Sequence, residues 1–275
     1  MVVSAQENGY SALDFLKGRG FSRRAIISLK NNKGLTRGGA LLRTVDPVYE
    51  GETVTVKLTD EGALLPNPNI QAAVVYEDED VIVFDKPPFV AVHPSILHYD
   101  DTLGNLFAAL CEGLPFRPVN RLDRNTSGLC VCAKNRFAAA GLAGSIEKVY
   151  YAVVDGEITE GGCIDRPIDR ERESIIKRCV SPTGKPARTH FSPEKNAKDR
   201  TLLRILLETG RTHQIRVHFS HIGYPLCGDD MYGGDMSAID RQALHCGEVS
   251  FVHPVTKEKV TLKAQLPQDM AGLLE

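Results

Sequence analysis

The sequence predicts an α+β protein in two parts. A small α/β unit spans residues 10–59, a linker spans 60–73, and a larger domain with a mixed, largely antiparallel sheet flanked by helices spans 74–275. Two observations predict this. Turn formers cluster at D-E-G-A-L-L-P-N-P-N, between two differently patterned stretches. From Val74 onward, strand-like and helix-like runs follow one another without strict alternation, which points away from a parallel α/β sheet.

In the first part, S-A-L-D-F-L-K-G-R-G reads as a short helix with Leu13, Phe15 and Leu16 apolar and with Gly18 and Gly20 ending it. Ser22 is positioned to cap a second helix, R-R-A-I-I-S-L-K, which Asn31, Asn32 and Gly34 stop. Short strands follow around Leu41 and at T-V-T-V-K-L. In the second part, D-V-I-V-F-D and F-V-A-V-H read as strands flanking Lys86-Pro87-Pro88. A helix capped by Thr102 buries Leu103, Leu106, Phe107 and Leu110 and ends at Gly113. Strands follow at G-L-C-V-C-A, K-V-Y-Y-A-V-V and T-L-L-R-I-L-L-E, the last apolar on both faces and so expected to be covered on both sides. Thr212 is placed to cap a further helix with Ile215, Phe219 and Ile222 inward and Gly223 at its end.

Composition bounds the function. At 42% hydrophobic and 25% charged, the 275 residues suit a soluble globular protein. No apolar run approaches the roughly 18 residues of a membrane span. The start, M-V-V-S-A-Q-E-N-G-Y, lacks a basic segment followed by an apolar one, so no secretory signal is expected. Seven cysteines make an odd count without a C-x-x-C pair. Cys130 and Cys132 share one face of a strand, and free thiols in a reducing cytoplasm are the simplest reading. His213, His218 and His221 lack a helical i, i+4 pair with an acid, so no metal site is expected, and there is no phosphate loop or dinucleotide fingerprint.

Net charge is −2, but its distribution is uneven. From Lys17 to Arg43 there are eight basic residues (Lys17, Arg19, Arg23, Arg24, Lys30, Lys33, Arg37 and Arg43) and no acid. Like charges at helical spacing repel, so a one-sign run of this length suits a phosphate backbone better than a solvated face.

The run V-N-R-L-D-R-N-T-S-G-L-C-V-C-A places Asp123 between Arg121 and Arg124, ahead of a turn and an apolar strand. Alone, it fits either a mixed-charge surface loop or a catalytic carboxylate in a polyanion-binding cleft. Arg216, in the first turn of its expected helix, is poorly placed for the helix dipole and calls for an anionic partner.

Further motifs share this chain in a fixed order. Y-E-D-E-D-V-I-V-F-D-K-P-P precedes N-R-L-D-R-N-T-S-G-L, K-V-Y-Y-A and T-G-K-P-A-R-T, and T-G-R-T-H-Q-I-R-V-H, P-L-C-G-D-D-M-Y-G and L-H-C…F-V-H-P follow. This order, over about residues 74–267, resembles the RluA-type pseudouridine synthases, which modify ribosomal or transfer RNA. The first part resembles the S-four-type RNA-binding domain through its S-R-R-x-x-x-x-L-x-x-x-x-G-L helix and P-V-Y-E-G-E-T-V ending, with Glu52 where Asp is usual.

The resemblance implies a cytoplasmic isomerase that acts as a monomer on RNA, with no cofactor, metal, membrane or obligate protein partner. It assigns Asp123 as the catalytic carboxylate, Arg216 as its charge partner and Tyr150 as the pocket tyrosine that stacks on uracil. Ile215 becomes an apolar wall, and Arg121 fills the gap left by the flipped base. Arg211, Lys185 and Arg188 are implied phosphate contacts, Thr189 is a further substrate contact, and Arg23, Arg24 and Lys30 face RNA in the first part. A free aspartate with pKa ~3.9 is ionised at neutral pH. Burial alone raises that value, and an adjacent guanidinium offsets the rise. Asn120 departs from the family's usual His before R-L-D, which alters the hydrogen bonding beside Asp123. A non-catalytic RNA-binding or ribosome-assembly factor is the second reading. A synthase acting on small-subunit rRNA is the third, disfavoured because its motif begins G-R-L-D and lacks T-G-R-T-H-Q-I-R-V-H.

Overall fold

The computed structural model describes residues 1–21, 23–31, 33–57, 64–95, 98–171 and 176–275, without the side chains of 24, 25, 28 and 31. The expected Ser22 cap, the Arg24 side chain and the first residues of the expected linker lie outside the described residues. The chain divides into two compact units, Met1–Ala63 and Leu64–Glu275.

In the first unit Ser11 caps α1 (Ala12–Gly18) by accepting the Asp14 amide. The second helix is α2 (Arg23–Asn31). Three short strands, β1 (Leu35–Arg37), β2 (Ala40–Leu41) and β3 (Val54–Val56), pair antiparallel in the order β2-β1-β3. Their core is Phe15, Leu16, Ile26, Leu29, Leu35 and Val54. The basic run draws its acids from outside itself: Arg19 pairs with Glu7, Arg37 with Glu52 and Arg43 with Asp46. Arg23, Lys30 and Lys33 are exposed.

The second unit is built on a ten-stranded mixed sheet. Its elements run β4 (Ala73–Glu77), β5 (Val81–Lys86), α3 (Leu103–Leu110), β6 (Arg117–Pro118), β7 (Ser127–Ala133), α4 (Arg136–Leu142), β8 (Glu147–Asp155) and β9 (Gly162–Asp165). A small hairpin, β10 (Ile168–Arg170) and β11 (Arg178–Val180), stands apart from the sheet. Then come β12 (Arg188–Ala197), β13 (Arg200–Leu207), α5 (Gln214–His221), β14 (Leu244–Val252), β15 (Lys259–Lys263) and α6 (Gln268–Ala271). The main path is β4-β5-β7-β14-β8-β13-β12-β9, with β15 on β14 and β6 on β7. The β7–β14 pair is parallel and the other pairs are antiparallel. The fold class is therefore the α+β class with a mixed, largely antiparallel sheet. Every residue of β7 is buried, Cys130 and Cys132 included, because strands lie on both its edges and apolar layers on both its faces.

Four details depart from the sequence reading. F-V-A-V-H is not a strand: after Pro87-Pro88 the chain turns through Phe89 at φ 66°, and the Lys86 ammonium gathers the carbonyls of Pro87 and Val90. Leu110 is exposed, because α3 ends there before it completes another inward turn. On β13, Thr201, Leu203 and Ile205 are buried, but Leu206 is 40% exposed, since the other face is covered only in part. Residues 64–72 pack as part of the second unit rather than as a free linker. There Asn105 Nδ2 donates to the Leu65 carbonyl and Asn67 Nδ2 to that of Asp100.

Candidate active site

Asp123 lies in the loop between β6 and β7, and buried side chains fasten the residues after it one by one. Lys86 Nζ donates to the Arg124 carbonyl at 3.1 Å and Arg241 Nη1 to that of Asn125 at 3.3 Å. Gln242 Nε2 donates to Thr126 Oγ1 at 3.2 Å, and Ser127 Oγ pairs with His245 Nδ1 at 3.0 Å. Lys86 is fully buried, and burial pushes its amine down to about 7. Its three carbonyl acceptors nonetheless match the three N–H of an ammonium, which opposes that shift. Before the loop, Asn120 bridges to β7 like a piece of backbone: its Nδ2 donates to the Leu129 carbonyl and its Oδ1 accepts the Val131 amide. At Gly128, φ is +110° and a Cβ would collide with the Cys246 backbone, so glycine alone lets β7 start against β14.

Arg216 sits in the first turn of α5 and is 5% exposed. Its Nε and Nη2 each donate to Asp229 at 2.7 Å, and its Nη1 donates to Asp123 Oδ2 at 3.3 Å. The anionic partner expected for this cation is thus two carboxylates. Asp229 makes the bidentate pair and Asp123 receives the remaining donor. Burial works against the Arg216 charge, but Asp229 and then Asp123 outweigh it and raise its pKa. Tyr232 lies under the guanidinium, 4.9 Å from its carbon to the ring centre. Gly228, at φ +71° and packed on the Arg241 carbonyl, turns the chain so that Asp229 is fully buried beside Arg216.

The cap of α5 differs from the expectation. His213, not Thr212, occupies that position, in the left-handed region at φ 56°, ψ 21°. That conformation costs a non-glycine residue roughly 1–3 kcal/mol and persists where surroundings dictate it. Here Gln214 closes the turn, accepting the Arg211 amide on Oε1 and donating from Nε2 to the Arg188 carbonyl. His213 Nε2 then lies 3.7 Å from Asp123 Oδ2. Of the residues expected to face inward, Ile215 and Phe219 do so, whereas Ile222 is at the C-cap and 36% exposed.

A cavity of about 70 Å³ is lined by Arg121, Asp123, Tyr150, Arg211, His213, Ile215 and Arg216, among others. An adjoining groove of about 570 Å³ shares Arg121, Asp123, Tyr150, Arg211 and His213 and adds Arg124, Lys148 and His93. Tyr150 comes from the middle of β8, opposite Cys246 and Ile205. Burial, reinforced by Cys246 and Asp123, pushes its phenol well above the usual value.

Not every expected residue converges here. Thr189 is fully buried and its Oγ1 is taken by Gln214 Nε2 and His218 Nδ1, so it braces α5 instead of touching substrate. Arg188 is exposed and engaged by Asp165 and Glu208, and Lys185 is exposed outside the cavity lining. Asp229, His213, Arg241 and Lys86 belong to the site's framework, and the sequence reading gave none of them a role there. Arg23 and Lys30 belong to the first unit.

Among the described residues one group has metal-type ligand atoms together, Asp78, Asp80 and His253. Several of its lone pairs are already used, with Asp80 Oδ1 accepting from Asn135 Nδ2. Asp78 Oδ1 accepts the amides of Asp80 and Val81, and its Oδ2 accepts the Tyr76 hydroxyl. His253 Nδ1 accepts the Val255 and Thr256 amides, which puts the proton on Nε2, 3.0 Å from Asp78. The cluster is a structural clasp in which His253 Nε2 lies beside the Asp78 carboxylate without a hydrogen bond.

Comparison with known proteins gives a consistent picture. The family model described as RNA pseudouridylate synthase matches residues 80–221. The "Uncharacterized RNA pseudouridine synthase YjbO" of Bacillus subtilis (strain 168) is 40% identical over 270 residues, covering 93% of this chain and 95% of the relative. The "Ribosomal large subunit pseudouridine synthase D" of Pseudomonas aeruginosa is 38% identical over 278 residues, covering 92% and 87%. The solved structure of human RNA Pseudouridylate Synthase Domain Containing 1 superposes with a TM-score of 0.60 at 24% identity, covering 76% of this chain and 86% of that one, a likeness of fold.

Proposed function

Since the chain belongs to the RNA pseudouridylate synthase family and isomerises uridine in RNA to pseudouridine, we propose how its residues do so and which RNA they serve. Asp123 is the catalytic carboxylate. It attacks C1′ of a flipped-out uridine, or takes the 2′ proton to leave a glycal. The N1–C1′ bond breaks and the uracil turns while held. C5 then bonds to C1′ as the carboxylate leaves that carbon or, from the glycal, as the 2′ proton returns to C2′; C5 loses its proton and N1 gains one. Atoms and electrons balance without a co-reactant.

The observation that carries this reading is Asp123 facing a cavity 3.3 Å from a guanidinium that Asp229 already holds in place. Preorganised charge of this kind needs no rearrangement during the reaction. Tyr150 and Ile215 supply the walls that grip the uracil. A phenol pushed so far up is not ionised at neutral pH, which favours stacking over proton abstraction for Tyr150. Arg121, exposed at the rim, fills the stack vacated by the flipped base, a displacement costing a few kcal/mol. Arg211 and Arg124 contact phosphates along the groove.

The substrate is large-subunit ribosomal RNA, by analogy with the Pseudomonas relative. The first unit acts as an S-four-type RNA-binding module through Arg23 and Lys30. The enzyme works as a cytoplasmic monomer without an obligate protein partner, and seven free thiols support a reducing compartment. Single-turnover assays on unmodified transcript test the catalytic assignment. Asp123→Ala yields no pseudouridine while RNA affinity stays near wild type, and product from that variant would refute it.

A further inference from the structure

We propose that His213 is a positioning residue for the nucleophile. Tyr232 holds it as the Nε2–H tautomer, it joins Arg216 in fixing Asp123 Oδ2, and Oδ1 is thereby left to meet the ribose. This rests on the reading of Asp123 as the catalytic carboxylate.

Hydrogen-bond accounting sets the tautomer. The Arg178 amide donates to the Tyr232 hydroxyl at 2.9 Å, so that oxygen is already an acceptor. Tyr232 is 8% exposed, and its one proton needs a partner. His213 Nδ1 lies 2.9 Å away and accepts it. A neutral imidazole whose Nδ1 accepts carries its hydrogen on Nε2. Burial supports the neutral form by lowering the His213 pKa, against the opposing charge of Asp123 and with the help of Arg216. Tyr232 is likewise kept protonated by burial.

Nε2–H points to Asp123. The separation of 3.7 Å from Oδ2 is long for a hydrogen bond, as such contacts often are before substrate closes the site. Arg216 Nη1 reaches the same oxygen, at 3.3 Å. Two donors on Oδ2 leave Oδ1 outside both contacts. The left-handed backbone of His213 is what brings the ring into the cavity wall beside Arg216.

Nitrogen-15 correlation spectra of the His213 ring in the full-length protein, free of RNA and near neutral pH, read the tautomer directly. We expect the Nε2–H pattern in the wild type and its partial loss in Tyr232→Phe, which keeps the aromatic ring. An Nδ1–H or doubly protonated ring in the wild type overturns the proposal. In single-turnover assays His213→Leu slows isomerisation on the order of 10²-fold with RNA affinity unchanged, as expected for a misplaced nucleophile. His213→Gln, whose amide can donate from a similar place, recovers most of the rate. A Leu variant as fast as wild type, or a Gln variant as slow as Leu, also overturns it. Activity surviving in Asp123→Ala would instead defeat the catalytic assignment, leaving the tautomer as measured.

Discussion

Replacing Asp229 with alanine removes the carboxylate that holds two Arg216 donors at 2.7 Å in a fully buried setting. The guanidinium, itself 5% exposed, then keeps only the 3.3 Å hydrogen bond to Asp123 and its stacking on Tyr232. Breaking one side of a buried ion pair costs about 3–5 kcal/mol, because the remaining charge stays desolvated. For a unit the size of Leu64–Glu275, that lowers the melting temperature by roughly 6–20 °C. A second effect follows from geometry. The freed Arg216 swings toward Asp123, and a misplacement of about 1 Å at a reacting carboxylate costs on the order of 10²-fold in rate. Thermal unfolding followed by circular dichroism reads the first effect, and single-turnover pseudouridine formation well below the melting point reads the second. A variant that melts with the wild type and reacts at its rate would refute the claim that Asp229 braces the site.

Three further outcomes are expected. Asn120→Ala strands the Leu129 carbonyl and the Val131 amide inside the protein, and urea unfolding should show a loss of roughly 2–4 kcal/mol; an unchanged midpoint would contradict the bridging role. Burial pushes the His245 imidazole, packed against Ser127, down to about 4 in the folded protein, against the ordinary value of 6.5 when unfolded. The unfolded chain therefore binds more protons between those values, so stability is full above pH 6.5 and falls as the pH drops toward 4, by about 3 kcal/mol. His245→Gln should flatten that slope in urea titrations taken at several pH values, and an equally steep slope would count against it. Deleting Met1–Ala63 should weaken RNA binding and reduce its salt dependence, and unchanged affinity would remove the basic run from recognition.

The strands were legible where apolar residues sit between turn formers, as at Val81–Lys86 and Ser127–Ala133. F-V-A-V-H carried the same pattern and failed, because the backbone turn at Phe89 and the carbonyls gathered by Lys86 are not written in hydrophobicity. The Asp123–Arg216 pairing was legible through motif order, and both residues do meet. Asp229 was not. Two adjacent aspartates in P-L-C-G-D-D look alike locally, and only Gly228 packed on Arg241 decides which one points inward. Lys86, Arg241 and His245 fasten the Asp123 loop from sites tens of residues away, and no local pattern marks such long-range partners. Thr189 shows the converse: a polar residue inside a recognisable motif was read as a substrate contact, yet it braces the helix that carries Arg216.

The most direct measurement is pseudouridine mapping of total RNA from cells lacking this chain, complemented with either the wild-type protein or Asp123→Ala at equal abundance. We expect specific large-subunit rRNA positions to lose pseudouridine and to regain it only with the wild type. Restoration by Asp123→Ala, or the loss of no position at all, would contradict catalysis by this carboxylate.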